Sequence, residues 1–422
     1  MHRIAALLLA SVALAAPAQA DLRGHGGAVR ALAVSPDGKS VISGSFDTSA
    51  IVWSLESETA VEVLRFHNGA VNAVAALPDG RFASAGEDGR IAIWARGQPA
   101  PARVIEGHGA PIAGLAVRAD GTLVASASWD ETVRLTPLSG DEPPRVLSGH
   151  QGNVNGVGFA PGAVVSVGYD ASVRIWPLDG NGPPTIKRLP TTLHSVAVAP
   201  DGGIVTGGGD GHIYILSAQG GVVHDVAAQP TPITSLALTR DGMMIAASAI
   251  GGRIVLIERD SGALAREIDS RAPVWSLAFT PDGSQLLSGG GDRLVRRWDA
   301  ATGAAIGRSA VEAEAGFPAG ADEHGARVFR ACAACHTVTA DGGNRAGPTL
   351  HGVFGRKIAT ASGYNYSAAL RGMEIVWTPE TVSRLFEIGP NAYTPGTKMP
   401  EQQIGDPQDR AALIRFLERA TR

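Results

Sequence analysis

The sequence predicts a multidomain chain: an all-β unit of seven similar repeats, followed by a small all-α domain. Three observations lead there. A turn of the Pro-Asp-Gly type recurs every forty to forty-two residues between Gly38 and Gly283. The residues flanking each turn alternate with a period of two, which is the period of a strand. Beyond Arg308 the turns stop, and helical apolar spacing appears around a single cluster, Cys332-Ala333-Ala334-Cys335-His336.

Composition sets the outer bounds. The chain has 422 residues, 44% of them hydrophobic, which is enough for a substantial core. At roughly 100–200 residues per domain this length suggests several domains or one large and one small. The net charge is −4 and aromatics are 5%, so the basic, ring-rich surface of a nucleic-acid binder is missing. The two cysteines lie in one cluster, which rules out a disulfide framework.

Residues 1–20 read as a secretory signal. His2 and Arg3 are followed by the apolar stretch Ile4 to Ala16 and by Ala18-Gln19-Ala20, a small-x-small cleavage site. The stretch is short for a ~30 Å hydrocarbon core, and no later run is long enough. The expectation is an exported, soluble, periplasmic protein with no membrane span.

Residues 21–308 carry the repeats. Their turns are Pro36-Asp37-Gly38, Pro78-Asp79-Gly80, Ala119-Asp120-Gly121, Pro161-Gly162, Pro200-Asp201-Gly202, Arg240-Asp241-Gly242 and Pro281-Asp282-Gly283. Proline presets one turn angle and glycine accepts positive φ. A second register follows each turn. Trp53, Trp94, Trp176 and Trp298 end the third strand of their units, with Thr136, Leu216 and Ile257 in the same place elsewhere. Six residues earlier stands an Asp (Asp47, Asp88, Asp130, Asp170, Asp210, Asp292), except in unit six. Four residues before that comes a Ser or Thr, again except in unit six, and His25, His67, His108 and His150 open four units.

This pattern resembles the WD-repeat β-propeller family. The resemblance implies seven four-stranded blades around an axial channel. It also implies a hydrogen-bonded His, Ser/Thr, Asp and Trp set in each full blade. Units one, two and four hold the whole set; unit three lacks the Trp, and units five and seven lack the His. Unit six lacks all four and is the weakest predicted blade. The Ser, His and Asp could suggest a hydrolase triad, but a set repeated around a ring fits a buried structural network better. The runs Gly207-Gly208-Gly209 and Gly289-Gly290-Gly291 precede strand-to-strand turns, not helices, so neither is a phosphate cradle. For the outer strand of the last blade, Ala304 to Arg308 is the expected donor in preference to Asp21 to Arg23.

Residues 309–320 read as a linker, and residues 321–422 as the α domain. Helical stretches are expected over Glu323 to Ala331, Pro379 to Phe386 and Pro407 to Ala420. The Cys332-to-His336 pentapeptide is the c-type heme attachment pattern. Two thiols at this spacing add to the two vinyl groups of one heme edge, and the adjacent His sits under the iron. A zinc half-site would need further Cys or His ligands, and a thioredoxin-like pair would need a preceding strand.

Further residues follow in order: Gly347-Pro348-Thr349-Leu350-His351-Gly352, then Arg356, Tyr364, Tyr366, Trp377 and Pro395-Gly396-Thr397-Lys398-Met399. With the pentapeptide they resemble class I c-type cytochromes over residues 320–422. The resemblance implies one covalent heme c, attached through Cys332 and Cys335, with His336 and Met399 as axial ligands. It implies that the Pro348 carbonyl accepts a hydrogen bond from His336. It places Arg356, Tyr366 and Trp377 around a heme propionate, and packs Gly325 and Phe329 against Leu413 and Phe416. His351 and Met373 are read as non-ligands, as are His194, His212 and His224 of the propeller. Two departures stand out. Leu385 and Phe386 occupy the helix where many members place a Tyr near the Met sulfur, and Leu370 replaces a common Asn. Lys357 and Lys398 are the domain's lysines, too few for a lysine-rich ring around the heme edge.

The leading expectation is an exported one-electron carrier whose propeller is a protein-docking platform for an unidentified redox partner. Two alternatives stay open. The propeller could bind and oxidise a small substrate and pass electrons to the heme, which would make the protein an oxidoreductase. Or the chain could be a redox-responsive binding or sensor protein.

Overall fold

A computed structural model of the protein describes residues 21–306, 322–340 and 342–422. The signal at 1–20 and the linker at 309–320 lie outside the described residues.

Each repeat forms one four-stranded antiparallel sheet. The first blade runs Val29–Val34, Ser40–Ser45, Ser49–Ser54 and Ala60–Arg65 from inside to outside, in sequence order. The innermost strands pack side by side around the ring, and the last of them, Val274–Phe279, lies against Val29–Val34. Every innermost strand slips register against its neighbour after its first pair, as at Val29/Ala31 and Ile233/Ser235. One extra residue there sharpens the local twist.

The core lies between blades. Trp94 of blade two packs with Ile42, Val52 and Ala31 of blade one, all buried. The glycine runs belong to this packing as well as to turns. A Cβ on Gly207 would stand 2.6 Å from Ile233 Cβ of the next blade, and one on Gly289 would stand 2.5 Å from Val29 Cγ1. Glycine is needed at both places for close approach of neighbouring blades.

The polar sets are formed. In blade one His25 Nδ1 is 2.9 Å from Asp47, His25 Nε2 is 2.7 Å from Ser43 Oγ, and Trp53 Nε1 donates to the same Oγ at 2.7 Å. Blades two and four repeat this. Blade three keeps the His108 links to Asp130 and Ser126. Blade seven keeps the Trp298-to-Ser288 bond. In blade five Tyr214 takes over, its hydroxyl donating to Asp210 at 2.7 Å.

Blade six, the weakest predicted, is as complete as the others. It forms in full as Ile233–Leu238, Met244–Ala249, Arg253–Glu258 and Leu264–Asp269. Apolar burial substitutes for the polar set: Ile233, Ile245, Val255 and Ile257 are each at most 1% exposed. Thr234 Oγ1 also donates to the Val274 carbonyl of blade seven at 2.7 Å.

Ring closure corrects the sequence expectation. Leu22–Arg23 pairs antiparallel with Val295 and Leu294, so the N-terminal segment supplies the outer strand. Ala304 to Ile306 continues the same edge, with a bridge between Ala305 and Trp298 and a 2.8 Å bond from Ile306 N to the Arg297 carbonyl. Both ends of the propeller therefore bind one strand. Leu22 is fully buried beside Trp53, and that burial draws the short N-terminal segment in.

These networks make stability depend on acid. Burial alone would raise the Asp170 carboxyl, but hydrogen bonds from Ser172 and His150 hold it down at about 2. Asp130 is likewise held at about 2 by Thr132 and His108. Burial lowers the pKa of His108 and His150. All four shifts have one sign: the unfolded chain binds more protons, so stability rises with pH. The contribution is complete above the ordinary His value of ~6.5. It erodes first as pH falls below that value and then as the carboxylates protonate between about 4 and 2. Propeller midpoints in urea are expected to drop steadily from pH 7 to pH 3. His150→Gln with Asp170→Asn should flatten that slope, and an unchanged slope would refute the linkage.

The C-terminal domain has few and short helices: α1 (Glu323–Phe329), α2 (Ala368–Arg371), α3 (Pro379–Ile388), α4 (Pro390–Tyr393) and α5 (Pro407–Ala420). Asp322 caps α1 by accepting from Gly325 N, and Thr378 and Thr381 form a capping box on α3. α1 crosses α5 closely. The Phe329 and Phe416 rings lie 5.1 Å apart, and a Cβ on Gly325 would stand 2.6 Å from Phe416 Cβ and against the Ala412 carbonyl. The rest is loop wrapped around a cavity.

Candidate heme site

The chain beyond α1 turns once more, with His336 N donating to the Cys332 carbonyl at 3.0 Å. That turn puts Cys332, Cys335 and His336 on the wall of one cavity, whose space including its mouth is about 1340 Å³. His336 Nδ1 lies 2.7 Å from the Pro348 carbonyl. A carbonyl only accepts, so Nδ1 carries the proton and Nε2 keeps its lone pair. Burial also lowers the His336 pKa, which favours the neutral ring. Gly347 cradles that ring: a Cβ there would stand 2.6 Å from Nδ1 and 2.7 Å from Nε2.

Met399 lines the same cavity, and its backbone N–H donates to Thr397 Oγ1 at 3.1 Å. Leu370, Leu385 and Phe386 also line it, so both departures from the family pattern face the cavity as apolar surface. Arg356, Tyr366 and Trp377 are in the wall as well. Arg356 donates to the carbonyls of Thr349 (2.6 Å) and His351 (3.1 Å). Tyr364 donates to the Ala346 carbonyl at 2.6 Å and braces the loop that follows the pentapeptide. His351 and Met373 do not line the cavity. His212 pairs with Asp225, His224 Nε2 bonds the Asp260 carbonyl, and neither lines the cavity.

The cysteines are poorly suited to thiol redox chemistry. Burial pushes Cys332 up to about 12; burial and then the Asp47 charge push Cys335 up to about 11. A reactive dithiol needs a lowered pKa.

Sequence reasoning missed one wall. Gly26, Asp47 and Arg65 of the propeller line the cavity too. The domains touch through Ala346 N to the Gly24 carbonyl (2.8 Å), Lys398 Nζ to the His67 carbonyl (3.1 Å) and Asn365 Nδ2 to the Pro99 carbonyl (2.5 Å). No local pattern announces these contacts, because each joins residues hundreds of positions apart.

Comparison with known proteins now decides the assignment. The family model described as cytochrome c matches residues 323–421. Cytochrome c of Cochliobolus lunatus is 44% identical over 108 residues, which is 25% of this chain and 99% of that protein. Through this domain the chain belongs to the cytochrome c family. Cytochrome c of Cannabis sativa is 40% identical over 105 residues (25% of this chain, 94% of that one). That of Arabidopsis thaliana is 44% identical over 99 (23% and 88%).

The family described as WD domain, G-beta repeat, matches residues 17–54, 58–95, 100–136, 141–177 and 264–299. The units left unmatched are five and six, where the polar set is altered or absent. The WD40 repeats of RRP9 superpose with a TM-score of 0.61 at 23% identity, covering 68% of this chain and 94% of theirs, which shows the shared fold. The protein is thus a WD-repeat propeller fused to a cytochrome c domain, and the cytochrome relatives imply covalently bound heme c.

The residues present fit that group. Two thiols and an oriented imidazole sit on one turn, the cavity is mostly apolar, and cations stand at its edge for carboxylates. The cytochrome domain suits heme-based electron transfer, and the propeller suits protein interaction.

Proposed function

We propose that the protein is an exported electron carrier in which His336 and Met399 are the axial ligands of one heme c held through Cys332 and Cys335. The observation that carries this reading is the His336 ring, fixed by the Pro348 carbonyl and by Gly347, on a cavity that Met399 also lines. Bound heme supplies a one-electron couple. The chain's own residues do the rest. Pro348 sets the ring's orientation and basicity. Leu370, Leu385 and Phe386 keep water from the cavity, and burial of this kind helps set the potential. Arg356, Tyr366 and Trp377 are placed to hold a propionate. His336 and Met399 would together hold the iron from both sides, which would leave no position there for a substrate.

The propeller is the docking platform in this reading. Phe46, Trp129 and Tyr169 each precede the Asp of their blade's polar set, so they occupy equivalent turns on one face. They are 48%, 40% and 48% exposed. This is the face that meets the cytochrome domain, since Asp47 lines the heme cavity. Exposed rings at one rim are suited to a protein partner. Among the described residues no helix is long and apolar enough to cross a membrane. Export rests on the leader Met1 to Ala20, and periplasmic residence follows from it.

The test is a visible spectrum of the heme-loaded protein, oxidised, reduced, and reduced under carbon monoxide. An unchanged reduced spectrum under carbon monoxide is expected of a closed iron. Ready binding would overturn the carrier reading in favour of substrate or sensor chemistry.

A further inference from the structure

The heme cavity has more cations than its acids can balance. Arg65, Arg356 and Lys398 line it, and Asp47 is the acid in its wall. Asp47 is already engaged by His25, Gly26 and Ser49. Arg356 and Lys398 donate to backbone carbonyls, which carry no full charge.

Arg65 is the odd member. It ends the outer strand of blade one, so it comes from the propeller. Its guanidinium lies 5.3 Å from the centre of the Tyr364 ring, across the domain boundary. Its Nε is buried with no hydrogen-bond partner, and the partner of the guanidinium on this side is the neutral Tyr364 rather than an acid. A buried guanidinium N–H without an acceptor is costly, and a charge without a counter-charge more so. A planar fork of this kind fits a carboxylate.

We propose that Arg65 of the propeller pairs with a heme propionate, so that both domains build the heme site and the propeller helps set its potential. This rests on the reading that the cavity takes heme c. Gly26 makes the approach possible: a Cβ there would stand 2.5 Å from Cys335 Sγ, so the blade sits directly on the second attachment cysteine. A fixed cation beside the heme disfavours the ferric state, which carries one more positive charge. Arg65 therefore raises the reduction potential, and the propeller is a working wall of the redox centre.

The test is the equilibrium reduction potential of the heme-loaded full chain as wild type, Arg65→Gln, Arg65→Lys and Gly26→Leu. Arg65→Gln is expected to lower the equilibrium constant for reduction about tenfold, or 59 mV for one electron. Arg65→Lys keeps the charge and should stay within about twofold of wild type. Gly26→Leu should wedge the blade away from Cys335 and lower the potential in the same direction, which also decides the matter if Arg65→Gln fails to accumulate. Equilibrium constants for reduction of Arg65→Gln or Gly26→Leu within about twofold of wild type would overturn the proposal. Absence of covalent heme in the wild type would instead sink the carrier reading itself.

Discussion

Replacing Met399 with His is expected to lower the reduction potential of the heme-loaded protein by roughly 0.2–0.3 V, within the ~0.8 V over which axial ligands move such centres. The thioether is a soft, weak donor that favours the reduced metal, whereas imidazole is more basic and favours the oxidised one. The local frame supports the swap. Met399 sits in a Pro395-to-Met399 loop held by its own Thr397, so the exchange leaves the backbone bond to Thr397 Oγ1 available. Met399→Ala should leave the sixth position open, and the reduced protein should then bind carbon monoxide. Potentiometric titration checks the first variant and a reduced-state spectrum the second. A potential unmoved by Met399→His would remove Met399 from the iron.

Gly325→Ala is expected to cost the cytochrome domain about 3 kcal/mol or more, at the upper end of overpacking effects. The new Cβ would meet the Ala412 carbonyl, which is backbone in the middle of α5 and has no rotamer to yield. The α1–α5 crossing must open, and the 5.1 Å Phe329–Phe416 contact opens with it. A control is at hand in Gly405, where a Cβ would meet nothing within 4 Å and φ is not positive. Gly405→Ala should change stability by less than about 0.5 kcal/mol. Urea titrations that follow the heme absorption band and the propeller's far-ultraviolet signal separately should show only the first transition moving in Gly325→Ala. Equal effects from the two glycines would mean that the close crossing does not govern stability.

Much of the molecule was legible in the sequence because its signals are local and periodic. The turns from Gly38 to Gly283 count the blades, since each turn needs its own glycine. The recurrence of Ser43, Asp47 and Trp53 at fixed spacing carries the resemblance to WD repeats, which implies their hydrogen-bonded set, and the structure joins them with His25 at 2.7–2.9 Å. The Cys332-to-His336 run is confined to one turn, so chemistry alone restricts its use. The α1–α5 contact was implied by the resemblance to class I c-type cytochromes, and the structure places the Phe329 and Phe416 rings 5.1 Å apart.

Other features depend on which distant surfaces meet. Blade six looked weak because polar signatures were its visible marker. Its stability comes from buried Ile233, Ile245, Val255 and Ile257 against neighbouring blades, and burial is a property of the assembled ring. The glycine runs were read from the turns they precede, whereas Gly207 and Gly289 are small because the next blade presses on them. Ring closure by Leu22–Arg23 rests on a two-residue pairing with Leu294–Val295, too short to leave a pattern.

By itself the sequence determined the seven repeats and the heme-attachment motif, while its resemblance to class I c-type cytochromes implied the site residues of that domain. Only the tertiary structure decided that blade six is whole, that both ends of the propeller bind its last strand, and that Gly26, Asp47 and Arg65 complete the cavity wall. The reason is physical. Turns, strand alternation and thiol spacing are set by neighbours along the chain. Closure, interblade burial and the approach of Arg65 to Tyr364 exist only once segments far apart in the chain pack together.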